Sequence, residues 1–104
     1  MLFRSVGRVH CADAVADYVL DVVDATHTHP DVVLGASSRA AIGLLAAARA
    51  RATVVGRDFT TPDDVKAVAA HALAHRLVLA DGPDLATGSR VVAEVLAAVS
   101  PPVP

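Results

Sequence analysis

The sequence predicts an all-α domain, a small four-helix bundle with at most one or two very short strands. Apolar residues recur at helical spacing in four segments, and glycine or proline separates the segments over short connections. The chain has 104 residues, of which 54% are hydrophobic and only 3% aromatic. A chain of this length forms one domain with one modest core, and here Ala, Val and Leu must build that core.

The first helix is predicted from about Ala12 to His27. Its buried stripe follows the i, i+3, i+4, i+7, i+8 pattern and comprises Val15, Tyr18, Val19, Val22 and Val23. Its opposite, acidic side comprises Asp13, Asp17, Asp21 and Asp24. This side is interpreted as a solvated helix face, and a docking face for a basic partner is the alternative. Pro30 ends the helix, because the residue before a proline avoids helical geometry.

The second helix is predicted from about Ser38 to Val55, with Gly56 as its stop. Ser37 is a good N-cap, because its side-chain oxygen can accept a hydrogen bond from a free N–H group of the first turn. The predicted buried stripe comprises Ala41, Leu44, Leu45, Ala48 and Ala52. Near the end of the helix lie three arginines that suit the negative end of the helix dipole, namely Arg49, Arg51 and Arg57.

A strong start signal introduces the third helix, which is predicted to run to about His75. Thr61 can cap it, Pro62 suits its first position and Asp64 can close a capping box. The predicted inward residues are Val65, Val68, Ala69, Ala72 and Leu73.

The segments 57–60 and 77–79 are predicted to be extended, with the second pairing near Phe59. A loop over 80–88, with Gly82-Pro83 as its breaker, is predicted to precede the last helix over 87–100. The predicted inward residues of that helix are Val91, Val92, Val95, Leu96 and Val99.

Charge and hydropathy exclude several classes of protein. The net charge is −2 and the pI is about 6.1, whereas a nucleic-acid binder usually carries a basic stripe. No apolar run reaches the ~20 residues that span a bilayer. The N-terminal segment Met1-Leu2-Phe3-Arg4 is too short and too mixed in polarity for a signal peptide. The lone Cys11 fits a reducing compartment, and the sequence therefore predicts a cytoplasmic protein without membrane or nucleic-acid partners.

Two histidine pairs resemble parts of metal sites, but neither is complete. His27 and His29 stand in a loop, and His71 and His75 lie one turn apart on a helix. A zinc site needs three or four protein ligands, and Ala72 stands where a His-Glu-x-x-His motif carries its glutamate. We predict no metal site. The chain also lacks a paired acid and base, so we expect no catalysis by the chain alone.

The segment Gly35-Ala36-Ser37-Ser38-Arg39-Ala40 is a candidate phosphate site at the start of the second helix. A cation in a first turn is slightly unfavourable, because the helix N-terminus already carries partial positive charge. That cost is explained if an anion binds there. Gly35, Ser37, Ser38 and Arg39 are the candidate binding residues, since free N–H groups and a guanidinium together suit phosphate.

This segment resembles the G-A-S-P-R-A motif of the MoxR family of AAA+ ATPases, which lies in the C-terminal helical lid that follows the ATP-binding core. The segments 16–26, 29–35, 56–65 and 73–79 are also similar to the family, so the resemblance extends from about Ser5 to Val99. Ser38 stands where the family usually has proline. Proline suits the first helical position but is not required there.

The resemblance implies that Arg39 is the sensor-2 residue, the one catalytic contribution of the lid, which touches the terminal phosphate of ATP. It implies Mg-ATP as the ligand of the parent protein, and the protein's own ATPase core and neighbouring ring subunits as partners. The parent would be a chaperone-like ATPase for protein maturation, in a family that often works with von Willebrand factor A proteins. The residues specify neither the client nor the ring size.

The 104 residues contain no G-x-x-x-x-G-K-S/T phosphate loop. Together with the resemblance, this predicts a fragment in which residues 1–11 lead in from the missing core, 12–100 form the lid and 101–104 are a C-terminal tail. We expect the isolated chain to hold no cofactor. We also expect it to self-associate through apolar surface left by the missing core, chiefly around Leu2, Phe3 and Val6.

A function of another class stays open at this point, that of a stand-alone helical protein-interaction module with no nucleotide role. The acidic face of the first helix and the Ala-rich second helix suit that function equally well. An upstream phosphate loop in the reading frame would discriminate between the two.

Overall fold

Residues 12–102 are described by the computed structural model, and they form four α-helices, one short 3₁₀-helix and one two-stranded antiparallel sheet. The helices are α1 (Asp13–Thr26), α2 (Ser38–Val54), α3 (Pro62–Leu73) and α4 (Leu85–Ala98), the strands are β1 (Val32–Leu34) and β2 (Val78–Leu79), and the 3₁₀-helix is Ala74–Arg76. The prediction of an all-α bundle with two very short strands is confirmed. The ends of α1, α2 and α3 lie within two residues of their predicted positions.

The four helices close around a core of small aliphatic residues. Each helix packs against its neighbours, α1 on α2, α2 on α3, α3 on α4 and α4 on α1. Every residue of the predicted α1 stripe is buried, and Tyr18 is the largest of the fully buried side chains. The other predicted inward residues are either buried or lie partly buried at the edge of the core, as Leu45, Val68, Ala72, Leu96 and Val99 do.

The sheet differs from the prediction. β2 pairs antiparallel with β1, not near Phe59, with Val32 opposite Leu79 and Leu34 opposite Val78. The backbone N–H of Ala80 extends the pairing by donating to the carbonyl of Asp31 at 2.9 Å. β1 is only three residues long, which is too short to show a strand period, and no strand was therefore predicted there.

Both ends of α4 lie two residues before their predicted positions at Thr87 and Ser100. The helix begins at Leu85 inside the predicted loop, because Asp84 caps it by accepting the N–H of Ala86 at 3.1 Å and the hydroxyl of Thr87 at 2.8 Å. These bonds, that of Thr87 first, hold the pKa of Asp84 below its ordinary value. Gly88 is buried within the helix, where an added Cβ would stand 2.6 Å from the carbonyl oxygen of Ala74. This glycine permits close helix approach and does not break the helix.

We expect Gly88→Ala to destabilise the bundle by about 1–3 kcal/mol, because the added methyl group would overlap backbone that cannot move freely. Gly43→Ala is the matched control, since an added Cβ at Gly43 in α2 meets nothing within 4 Å. That control should gain up to about 1 kcal/mol from helix propensity. Urea unfolding of both variants measures the difference, and an equal gain in both would contradict the close approach at Gly88.

Some sequence predictions lie outside the described residues. They concern the lead-in over residues 1–11, its apolar residues Leu2, Phe3 and Val6, and Cys11. Within residues 12–102, no helix is long and apolar enough to cross a membrane.

Candidate functional site

The predicted phosphate site lies at the exposed N-terminus of α2. Ser37 is extended (φ −81°, ψ 170°) and its hydroxyl accepts the N–H of Ala40 at 3.3 Å, which confirms the predicted cap. The N–H groups of Ser38 and Arg39 come too early in the helix for intrahelical partners. Both side chains are exposed, and Arg39 forms no hydrogen bond or ion pair with any residue in the range 12–102. The first turn therefore presents free N–H groups beside an available guanidinium.

The backbone just before this turn is held from both sides by the end of α1. Ala36 is fully buried, its N–H donates to Oγ1 of Thr26 at 2.9 Å, and its carbonyl oxygen accepts Nε2–H of His27 at 2.8 Å. A Cβ on Gly35 would lie 2.8 Å from both Cγ of His27 and Oγ1 of Thr26. Gly35 is therefore needed for this close approach, while its predicted contact with a ligand stays a prediction.

A charged network joins the loop that leads to the site with α4. Nε2 of His29 bonds Oε1 of Glu94 at 3.0 Å, and Arg90 bonds Glu94 at 2.9 Å and Asp31 at 2.8 Å. The backbone N–H of Asp31 donates to Nδ1 of His29 at 3.1 Å. The Arg90 hydrogen bond lowers the pKa of Asp31, and the His29 hydrogen bond lowers the pKa of Glu94. The network lies at the surface, where such pairs contribute little stability, so its main effect is to orient the loop.

Large apolar side chains are exposed on both sides of the motif. Val33 and Leu34 are 69% and 61% exposed just before it, and Ile42 is 72% exposed one turn after it. Val78, opposite Leu34 in the sheet, is 49% exposed. Large exposed apolar side chains near one motif suit a contact with another domain or protein. Arg39 therefore lies near residues suited to packing against a partner.

A second charged cluster, which the sequence analysis did not predict, surrounds Asp64 on α3. This carboxylate is fully buried and accepts one bond from Arg51 at 2.7 Å and two from Arg57 at 2.7 and 2.6 Å. The N–H of Thr61 donates to it at 2.8 Å, which completes the predicted capping box. Burial alone would raise the pKa of Asp64, but the bonds from Arg57, Thr61 and Arg51 hold it well below its ordinary value.

The roles predicted for the arginines at the end of α2 change accordingly. Arg51 and Arg57 pair with a buried carboxylate on the next helix, and Arg57 also lies 5.6 Å from the ring centroid of Phe59. The capping role of Asp64 was readable from local spacing. Its pairing with the two arginines was not, because it depends on how α2 and α3 cross.

The four histidines in the described part of the chain do not meet in a metal site. His71 and His75 are both exposed, as expected for one helix face. His27 forms a hydrogen bond with the carbonyl oxygen of Ala36, and His29 forms one with the carboxylate of Glu94. Within residues 12–102, no group of three or more His, Cys, Asp or Glu side chains could hold a metal ion. A cavity of about 590 Å³ lies at the starts of α1 and α3 and includes none of the predicted site residues in its lining.

We expect Ser37→Ala to lower the stability of the domain by about 1 kcal/mol through the lost cap. Any effect on chemistry at the site should be indirect, because the hydroxyl is already committed to Ala40. Ser38→Ala is the control, since this neighbouring hydroxyl is exposed and caps nothing. Thermal unfolding of both variants tests the assignment, which fails if Ser38→Ala loses as much stability as Ser37→Ala.

Comparison with known proteins identifies relatives over most of the chain. Residues 24–100 match the family of the AAA lid domain. The chain is 36% identical over 104 residues to the protein YeaC of Bacillus subtilis (strain 168), covering 98% of this chain and 32% of YeaC. It is 45% identical over 75 residues to the chaperone MoxR1 of Mycobacterium tuberculosis (strain ATCC 25618 / H37Rv), covering 64% of this chain and 20% of MoxR1.

A solved structure agrees with these matches. The chain superposes with a TM-score of 0.81 and 28% identity on a crystal structure, at 2.00 Å, of a protein described as a candidate ATPase from Cytophaga hutchinsonii ATCC 33406. The match covers 93% of this chain and 33% of that one. The chain thus spans about a third of the length of YeaC and of this candidate ATPase, and about a fifth of MoxR1. The resemblance to a MoxR-type AAA+ lid is confirmed at the level of the domain.

Proposed function

The chain belongs to the AAA lid domain family, and on that basis we propose that it closes over ATP bound to the core of a MoxR-type AAA+ ATPase. The observation that carries the proposal is the state of Arg39. It is an exposed cation without an ion pair in the described part of the chain, at a helix end with free N–H groups. That combination suits a phosphate group.

In this proposal Arg39 is the sensor-2 residue. Its guanidinium contacts the terminal phosphate, and the N–H groups of the first turn of α2 add their partial positive charge. Bound Mg-ATP supplies the phosphoryl group to be transferred and the metal that neutralises part of its charge. A cation fixed before the reaction stabilises the charge that develops during transfer more than the charge of the ground state. Arg39 therefore contributes chiefly to the rate of hydrolysis.

The exposed apolar residues beside Arg39 suit the contact with the core. Val33, Leu34 and Ile42 flank the motif on both sides, so docking through them brings the guanidinium to the interface. Loss of the terminal phosphate would remove the Arg39 contact and release the lid. In a ring of subunits, this movement of the lid would be transmitted to neighbouring subunits and to a client protein. One relative is a chaperone by name, which supports a role in protein maturation, with von Willebrand factor A proteins as candidate partners.

The proposal predicts that the isolated 104-residue chain binds Mg-ATP only weakly, with a Kd above about 1 mM. A charge-assisted hydrogen bond contributes about 1.5–3 kcal/mol, and one guanidinium with a helix end cannot replace a phosphate loop and a magnesium site. Calorimetric titration of the chain measures the affinity, and the same lid joined to its ATPase core is the positive control. Micromolar binding by the isolated chain would defeat the assignment as a lid alone.

A further inference from the structure

We propose that Thr26 and His27 are positioning residues for Arg39, and this inference rests on the function proposed above. These two residues end α1 and begin the loop after it, and together they hold both backbone polar groups of Ala36. Ala36 directly precedes the cap Ser37, and Arg39 follows two residues after that cap. The contact between Thr26, His27 and Ala36 is called the Ala36 clamp below.

Thr26 is suited to this role because its hydroxyl both donates and accepts a hydrogen bond. The side chain is completely buried, its Oγ1–H donates to the carbonyl of Val23 at 2.6 Å, and its oxygen accepts the N–H of Ala36 at 2.9 Å. The donor bond fixes the direction of the hydroxyl, so the lone pairs point at Ala36. A valine at position 26 would fill the same space but leave the buried N–H of Ala36 unpaired, which is costly.

His27 completes the clamp from the other side. A carbonyl oxygen only accepts hydrogen bonds, so Nε2 must carry the proton that is donated to Ala36. This bond is compatible with both the neutral ring and the protonated ring, and the clamp does not depend on the charge of His27. The ring also lies so close to Gly35 that no Cβ fits there. The backbone of Gly35 and Ala36 therefore has little freedom to move relative to α1.

The clamp matters because it holds the end of the loop next to the cap, whereas the charged network holds only the start of the loop, at His29 and Asp31. Val33 and Leu34 are mostly exposed, and β1 pairs with a strand of only two residues. Ala40 and Ala41 in the first turn and Leu44 in the next turn fix α2 in the core, but they do not hold the backbone that leads into the cap. The clamp holds that backbone. A misplacement of about 1 Å at a reacting group can reduce a rate as much as 10²-fold.

The test measures kcat and KM for ATP hydrolysis in the full-length ATPase that carries this lid. Thr26→Val and His27→Ala each remove one bond of the clamp, and Thr26→Ser and His27→Gln keep a group able to make it. We expect the first two to lower kcat roughly 10-fold with KM changed less than about 2-fold. The conservative variants should recover most of the rate. Melting temperatures show that every variant stays folded at the assay temperature.

The same substitutions are then made in an Arg39→Ala background. If the clamp acts through Arg39, Thr26→Val and His27→Ala should cause almost no further loss there, because residues that act as a unit are not additive. A further 10-fold loss of kcat in that background would overturn the inference and assign the clamp a general structural role. The inference would also be overturned if both clamp variants hydrolysed ATP at the parental rate while Arg39→Ala hydrolysed it slowly. A parental rate for Arg39→Ala itself would overturn the proposed function instead. His27→Ala carries the test if Thr26→Val does not fold, since the ring lies at the surface.

Discussion

Arg39→Ala is expected to lower the rate of ATP hydrolysis by the full-length ATPase about 10²-fold or more while changing the Kd for ATP much less. The guanidinium is free of ion pairs with residues 12–102 and already stands at the exposed start of α2, so it need not be withdrawn from another partner to meet phosphate. Removing one preorganised donor at a position where charge develops commonly costs ~10² or more in rate. Steady-state hydrolysis and equilibrium ATP binding, measured on the same preparation, separate the two effects.

Stability supplies the control for this substitution. An exposed arginine that pairs with none of residues 12–102 contributes little to the free energy of unfolding, so the melting temperature of Arg39→Ala should stay close to that of the parent. Arg76→Ala is the matched variant, because Arg76 is also exposed but lies in the 3₁₀-helix, outside the motif. It should hydrolyse ATP normally. If Arg39→Ala does so too, the sensor assignment is wrong and the motif is only a well-capped helix start.

Local signals in the sequence predicted most of the fold. The α1 stripe and the Thr61-Pro62-Asp63-Asp64 start signal each depend on residues within one or two turns, and the structure places both as predicted. The errors arose where local signals were short or ambiguous. β1 has three residues, and Gly88, where the predicted loop and the predicted last helix overlap, is a point of close helix contact.

The candidate site was predictable only in part for the same reason. The cap at Ser37 and the exposure of Arg39 follow from their positions at a helix start. The Ala36 clamp joins residues ten positions apart, and Thr26 looks in the sequence like an ordinary helix end. Gly35 was the available signal, since a glycine next to a buried alanine can mark close backbone approach, but a turn explains such a glycine equally well.

Asp64→Ala is expected to cause the largest loss of stability, about 3–5 kcal/mol, because it removes the shared partner of two arginines from a buried position. It also leaves the N–H of Thr61 without its acceptor. The loss should lie toward the lower end of this range, since Arg51 and Arg57 keep 37% and 27% of their side-chain surface in water and can turn outward.

Arg57→Ala should lower the free energy of unfolding more than Arg51→Ala, because Arg57 donates two hydrogen bonds to the Asp64 carboxylate and Arg51 donates one. Urea unfolding gives all three values, and equal losses for the two arginines would contradict this order.

The pH dependence of unfolding distinguishes the charge of Asp64 from its shape. The arginines hold the pKa of Asp64 in the folded protein far below its value of about 3.9 in an unfolded chain. A depressed pKa means that the unfolded chain takes up the proton first. The stabilisation is therefore complete above about pH 5 and is lost progressively as the pH falls through the folded pKa.

Asp64→Asn keeps the shape of the side chain but cannot titrate, so its free energy of unfolding should be lower than that of the parent at neutral pH and should fall less steeply between about pH 5 and pH 2. Asp31→Asn is the control, because that carboxylate also has a lowered pKa but lies at the surface, where its effect is small. If Asp64→Asn loses stability with acid as steeply as the parent, the bonds to Arg51 and Arg57 do not stabilise the charged form, and the cluster holds α2 to α3 by packing alone.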